Sequence, residues 1–509
     1  MDWNGILQGF AVALDPANLG WVLLGVVIGT VIGVLPGLGP TATIALLLPI
    51  TYGLDPASAI ILLAGIYYGS MYGGTITAVL LRVPGEAASV VTAIDGHQMA
   101  RRGRAGPALG IAAVGSFIGG SVATIALFFL APTFAALALR FGPPEYAILA
   151  SVGIFLACFL GTGSGIRSLV SACLGLLLAT VGRDPITGDS RYTFGDVNLS
   201  GGLDLVAVAM GLFGLGELIF HVTQTRSAQA VTTRIKRIMP ARDDFRRARG
   251  PIARGSILGF VIGVLPGGGG VVSSMASYAT EKRINRRNQA EFGKGAVEGV
   301  AGPETANNAS STSAFVPLLT LGIPPNVVLA VIYGALLLQG ITPGPNLVTE
   351  HPEVFWGVIA SMLLGNLILL ALNLPLVGIF IQILRVRAGM LASFAVVITA
   401  IGAYSVSNSI FDMYVLLAFG ILGYIMRLIG LDPAPLVLAF VLSPLLEQAV
   451  RQSMLISGGD PTIFVTRPIA LTMIAAMVLI ALATTCTRRY NRRQSRTEPA
   501  RSQPPGGER

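Results

Sequence analysis

The chain has 509 residues, 53% of them hydrophobic and only 12% charged, with a mean hydropathy of +0.73, whereas a soluble protein is roughly 25% charged. Too few charges remain to wet the surface of a water-soluble globule, so the composition describes a polytopic membrane protein in a lipid bilayer. The net charge of +9 does not point to a nucleic-acid partner, because 21 of the 34 Lys and Arg residues are bunched in Arg226 to Arg254, Lys282 to Lys294 and Arg488 to Arg509, which the positive-inside rule assigns to the cytoplasm.

The N-terminal MDWNGILQGF has no basic region and no small-residue cleavage site, so no secretory signal is expected. Residues 19–52 form a long apolar segment interrupted at Val31 to Pro40, VIGVLPGLGP. Spans of the length needed to cross ~30 Å of hydrocarbon follow at about 57–81, 107–130, 145–160, 166–181 and 203–220. A basic linker, 221–251, leads to a second interrupted segment, 252–280, whose centre reads VIGVLPGGGG from Val261 to Gly270. Seven consecutive identities 230 residues apart mark an internal repeat. Val83-Pro84-Gly85 and Ile323-Pro324-Pro325 stand in similar places downstream, followed by Gly106-Pro107 and Gly344-Pro345. After a Ser/Asn-rich stretch at 297–323, further spans are expected near 354–384, 390–404, 414–429, 435–446 and 469–485. The basic, Pro/Gly-rich tail, 488–509, has nothing to bury and reads as disordered.

Charge fixes the expected orientation of the two halves. No Lys or Arg precedes Arg82, whereas the second interrupted segment is bracketed by Arg247, Arg249 and Arg254 and by Lys282, Arg283, Arg286 and Arg287. With each interrupted segment a hairpin, the first should enter from outside and the second from inside. The fold class is therefore all-α and polytopic, with two inverted-topology repeats, 1–220 and 252–487, the N-terminus periplasmic and the C-terminus cytoplasmic.

A Pro-Gly break within hydrocarbon leaves backbone groups without helical partners, at several kcal/mol each, and is tolerated where it faces a cavity or ligand. The first tip therefore offers Gly37, Gly39, Thr41 and Thr43 at the positive end of a returning half-helix, a setting suited to an anion. Gly267 and Gly268, with Ser273 and Ser274, repeat the device. A second polar concentration comprises Asn307, Asn308, Ser310, Ser311 and Thr312, where an unwound backbone would add carbonyls; its counterpart is read at Tyr67 to Thr77, including Gly74 and Thr75. Neither tip carries Lys or Arg, so a bound cation would supply countercharge, which favours Na⁺ near Asn307, Asn308, Ser311 and Thr312 over H⁺. Helix packing by small and polar residues is the plainer reading of each motif. Isolated acids at Asp95, Glu217, Asp412 and Glu447 are read as paired or functional, Asp95 through Arg101, Arg102 and Arg104. Cys158, Cys173 and Cys486 read as inert core residues, and His97, His221 and His351 lack metal-ligand spacing. No HExxH, GxSxG or Walker motif is present, so the chain reads as neither an enzyme nor an ATP-driven pump.

The stretch VIGVLPGLGPTATIALLLPITYGLDPASAIILLAGIYYGSMYGGTITAVLLRVPGEAASVVTAIDGHQMARRG, together with GPETANNASSTSAFVPLLTLGIPPNVVLAVIYGALLLQGITPGP, resembles the large membrane subunit of bacterial tripartite tricarboxylate transporters. The resemblance implies an inner-membrane permease working with a small membrane subunit and a periplasmic solute-binding protein that delivers an organic carboxylate. It also implies cation symport and hairpin-tip sites of the kind found in elevator-like ion transporters. Ile323-Pro324-Pro325 departs from the Ile-Pro-Gly that the family pattern predicts. A carrier acting alone, a passive channel and an intramembrane enzyme are the competing classes.

Overall fold

In the computed structural model, residues 2–35, 39–160, 165–224, 238–286, 288–383, 396–397, 399–405 and 408–479 are described here. The helices of the first half are α1 (Trp3–Leu14), α2 (Pro16–Val34), α3 (Pro40–Thr51), α4 (Pro56–Leu81), α5 (Ser89–Arg101), α6 (Ala105–Ala138), α7 (Pro143–Leu160) and α8 (Gly165–Leu178). A two-residue antiparallel ladder, Gly182–Arg183 with Ser190–Arg191, precedes α9 (Leu205–Ala209), a π-turn at Met210–Leu215, and α10 (Gly216–Gln224). The second half contains α11 (Arg242–Val264), α12 (Gly269–Ile284), α13 (Glu298–Ser313), α14 (Phe315–Leu321), α15 (Val327–Leu338), α16 (Leu347–Glu350), α17 (Pro352–Asn373), α18 (Val377–Ile383), α19 (Ile410–Leu428) and α20 (Ala434–Ile456). Among the described residues, six helices are long and apolar enough to cross a membrane.

Several expectations shift. The span foreseen at 354–384 is two helices, because Pro375 lacks the amide that would continue α17. α11 begins at Arg242, ten residues inside the stretch read as linker; α1 and α5 were not foreseen. α13 is a regular helix through Asn307 and Asn308, not an unwound segment, so side chains rather than freed carbonyls carry its polarity. Cys173 is exposed on α8, although Cys158 is buried. The tail and Cys486 lie outside the described residues, as do 225–237 of the linker and most of the span at 390–404.

The chain divides into two compact units, Met1–Arg140 with Gly153–Leu445, and Phe141–Val152 with Leu446–Arg509. In the second, Arg451 pairs with Glu447 one helical turn away at 2.9 Å. The first holds both interrupted segments, and they are packed in the same way. Glycines recur every fourth residue on α2 (Gly25, Gly29, Gly33) and on α11 (Gly255, Gly259, Gly263), so that each set lies along one helix face. The first set rests on the backbone of Leu62, Ile66 and Ser70 in α4, the second on that of Gly302, Ala306 and Ser310 in α13. No Cβ fits at any of the six positions without displacing a carbonyl, which is how small residues let membrane helices approach closely. This register aligns α4 with α13 at an offset of 240 residues, so the true counterpart of Gly302 to Ser313 is Leu62 to Gly73, five residues before the stretch chosen from composition.

The alignment continues past the helix ends. α4 is capped by Arg82 at φ 57° and α14 by Gly322 at φ 70°, both left-handed. The turns Val83-Pro84-Gly85 and Ile323-Pro324-Pro325 then occupy matching positions. α4 is buried along its whole length, and all of α13 is buried despite its polar composition. These two helices form the centre of the unit.

Candidate functional site: a buried carboxylate and amide centre

Two acids absent from the sequence-based candidates organise this centre. Glu86 follows the first Pro-Gly turn, and Glu304 lies in α13; they are 7% and 1% exposed. Neither forms an ion pair among the described residues. Uncompensated charge in a protein interior costs several kcal/mol, so such acids must be solvated by dipoles, cations or protons.

Glu86 reaches its place because Gly85 and Gly74 lack side chains. A Cβ on Gly85 would lie 2.7 Å from the Gly74 Cα and 2.8 Å from Thr77 Oγ1, and one on Gly74 would lie 2.7 Å from Glu86 Cγ. Asn307 Nδ2 donates to Glu86 Oε1 at 2.9 Å, and the Ala88 amide donates to Oε2 at 2.9 Å. Glu304 is held by hydroxyls alone: Thr75 Oγ1 donates to Oε2 at 2.8 Å, Ser116 Oγ lies 3.5 Å from the same oxygen, and Thr92 donates to Oε1. Asn308 Nδ2 donates to Ser116 Oγ at 2.7 Å and to the Glu304 carbonyl at 3.2 Å.

A reciprocal contact links the halves. Asn307 of α13 donates to Glu86 in the first turn, and Asn326 of the second turn donates to Tyr67 OH of α4 at 3.4 Å. Glu86 and Asn326 are equivalent at the 240-residue offset, and so are Tyr67 and Asn307. Equivalent positions of the two halves thus contact one another reciprocally.

The second tip borders this centre. Gly267 and Gly269 have φ of 75° and 44°, conformations that need glycine. The Gly267 amide donates to the Pro325 carbonyl at 2.8 Å, which ties the tip to the Ile-Pro-Pro turn. Gly270 abuts Asn307 Oδ1 and lies, at its missing Cβ, 3.1 Å from Ala88. Asn307 Oδ1 and Ser310 Oγ are buried and without a hydrogen-bond partner.

The sequence-based candidates thus separate. Gly74, Thr75, Asn307 and Asn308 meet around the two acids. Ser274 donates to the Pro303 carbonyl at 3.1 Å and pins α12 to α13. Thr43, Ser273 and Ser311 turn back on their own helices, toward the carbonyls of Gly39, Gly270 and Asn307. Thr41 is half-buried and Thr312 buried. Gly268 lies at the tip, its amide donating to Leu265 O at 2.9 Å. Gly39 precedes α3, while Gly37 lies outside the described residues with Pro36 and Leu38. Asp95 is not paired with Arg101, Arg102 or Arg104: it accepts from the amides of Gly295 and Ala296 at 2.7 and 2.9 Å and from Tyr278 OH at 2.9 Å, clamping the approach to α13. Arg104 pairs with Asp244 at 2.6 Å, and Glu217 with Arg427 at 3.3 Å.

Apolar helices packed around a polar, charge-poor centre define an all-α polytopic membrane protein. Residues 19–438 match the family described as "Tripartite tricarboxylate transporter TctA family", and the chain belongs to it: this is the membrane subunit of a tripartite tricarboxylate transporter. It is 50% identical over 482 residues to an "Uncharacterized 52.8 kDa protein in TAR-I ttuC' 3'region" of Agrobacterium vitis, covering 94% of this chain and 96% of that one. An "Uncharacterized protein in TAR-II ttuC' 3'region" of the same organism is 53% identical over 226 residues, 44% of this chain and 93% of that one. No solved structure matches.

Proposed function

We propose that the chain is the permease of a bacterial system that imports an organic di- or tricarboxylate across the inner membrane by cation symport. It would receive its substrate from a periplasmic solute-binding protein and work beside a small membrane subunit. The observation that carries this reading is the reciprocal pairing of Glu86 with Asn307 and Asn326 with Tyr67, which draws the matching helices α4 and α13 and the two Pro-containing turns onto one buried polar centre. Two-fold-related halves with opposite charge bracketing accord with inverted repeats, a periplasmic N-terminus and a cytoplasmic C-terminus. A substrate-binding body that moves as an elevator would carry this centre between the two faces.

The substrate carboxylates would be met by amide, hydroxyl and backbone donors near the tips, with Glu86 and Glu304 supplying the negative charge that requires a co-transported cation, Na⁺ or H⁺. The decisive experiment is uptake of candidate acids into proteoliposomes, with and without the binding protein and a sodium or proton gradient. Uptake requiring both is expected. Uptake without the binding protein would make this a stand-alone carrier, and non-saturating flux without a gradient a channel. Asn307→Ala should reduce uptake while the protein remains folded; normal uptake by this variant would remove Asn307 from the site.

A further inference from the structure

We propose that the Glu304 carboxyl binds a proton during the transport cycle, exchanging it with water in a cavity beside Thr75, Ser116 and Asn373. This rests on the symport reading and names the ion and its place.

The argument is one of counting hydrogens. Thr75 Oγ1 has a single hydrogen and two acceptors in reach, the Met71 carbonyl at 3.1 Å and Glu304 Oε2 at 2.8 Å. With Glu304 ionised, that hydrogen points at Oε2. With Glu304 protonated, the Oε2 proton is donated to Thr75, whose own hydrogen turns to Met71. Both states are fully bonded and differ by one hydroxyl rotation and one proton. Two oxygens 2.8 Å apart share a hydrogen.

A water-sized cavity adjoins the carboxyl. It holds about 10 Å³, room for one water, and the polar residues Tyr72, Thr75, Ser116 and Asn373 line it together with the apolar Ile76, Leu109, Ala112, Ala113 and Val377. Asn373 Oδ1 there is buried and unpartnered, and Asn373 is 6% exposed. A water in this cavity finds an acceptor in Asn373 and hydroxyls leading to Glu304. The proton leaves a hydronium ion, adds to a lone pair of Oε2 and takes the carboxyl from −1 to neutral; no other bond changes.

The surrounding charges do not compete for this role. From α4 and its turn, Tyr72 and Glu86 lie within electrostatic reach of Glu304. On α5, Asp95 is saturated by two amides and Tyr278. On α12, Glu281 is paired with Arg254 of α11, Arg247 of α11 pairs with Glu298 and Glu291, and at the start of α6 Arg104 is paired with Asp244.

The test is pH-difference infrared spectroscopy of the full chain in phosphatidylethanolamine–phosphatidylglycerol vesicles, without substrate or binding protein. A protonated-carboxyl band that grows as the pH is lowered should be present in the wild type and in Glu86→Gln and absent in Glu304→Gln. If Glu304→Gln does not assemble, Thr92→Val keeps the acid and removes one donor to its ionised form, so the midpoint should move about one pH unit to the alkaline side. A band unchanged in Glu304→Gln, the lack of any titrating band, or an unmoved midpoint in Thr92→Val would overturn the assignment. Because no substrate is present, a titrating Glu304 in a protein that takes up no carboxylate would refute the import reading alone, and an absent band with active uptake this proposal alone.

Discussion

Adding one methyl group to the glycine seams should separate the helices that hold the polar centre. In Gly25→Ala the new Cβ would sit 2.5 Å from the Leu62 carbonyl oxygen, and in Gly255→Ala 2.7 Å from that of Gly302. Ordinary C···O contact begins near 3.4 Å, so each helix pair must part locally by about 0.7–0.9 Å. The further obstacles are Gly65 Cα and Ile66 N in the first seam and Thr305 Cβ and Ala306 N in the second, atoms that no change of rotamer can move aside. Overpacking of this kind costs about 1–3 kcal/mol, and the cost should be similar in the two variants because the seams are equivalent. Gly20 lies in α2 with nothing within 4 Å of its missing Cβ; there, Gly20→Ala should gain about 0.5–1 kcal/mol of helix stability. Denaturation midpoints in detergent would check all three. Wild-type stability of both seam variants would refute the packing argument, and a loss in only one would refute the equivalence of the halves.

Two further perturbations probe the supports of the site. Asp95→Ala orphans the Gly295 and Ala296 amides at the entry to α13 and should cost about 2–4 kcal/mol, whereas Asp95→Asn keeps the single oxygen that both amides share and should cost well under half; equal losses in the same denaturation assay would argue against the clamp. Arg254 forms a two-pronged bond to Glu281, at 2.8 and 2.6 Å, with the acid side chain fully buried and the arginine side chain 35% exposed. Arg254→Met should therefore cost about 2 kcal/mol, less than the ~3–5 of a fully buried pair, and adding Glu281→Gln should recover most of it; no recovery in the double variant would show that the arginine contributes by packing alone.

The repeat was legible because it is written in identical residues, and glycines at every fourth position already drew the seams on α2 and α11. What could not be read was which residues those seams oppose: α4 and α13 are apolar or polar all round, and a helix buried on every side leaves no periodicity to fix its register. The polar partners lie beyond local inspection for the same reason, since Glu304 and Thr75 are 229 residues apart. Glu86 and Glu304 do not stand out because each sits among Gly, Ala, Ser or Asn residues rather than in a purely apolar run. Glu304 has no Arg or Lys within four positions, and Glu86 has only Arg82. Asp95 is the converse, since the arginines near it in sequence are not its partners in space.

The matched corners at Glu86 and Asn326 share a backbone but not a charge. A charged group brought near both would meet a carboxylate at one and a neutral amide at the other. The pair is a palindrome in position and an arrow in potential.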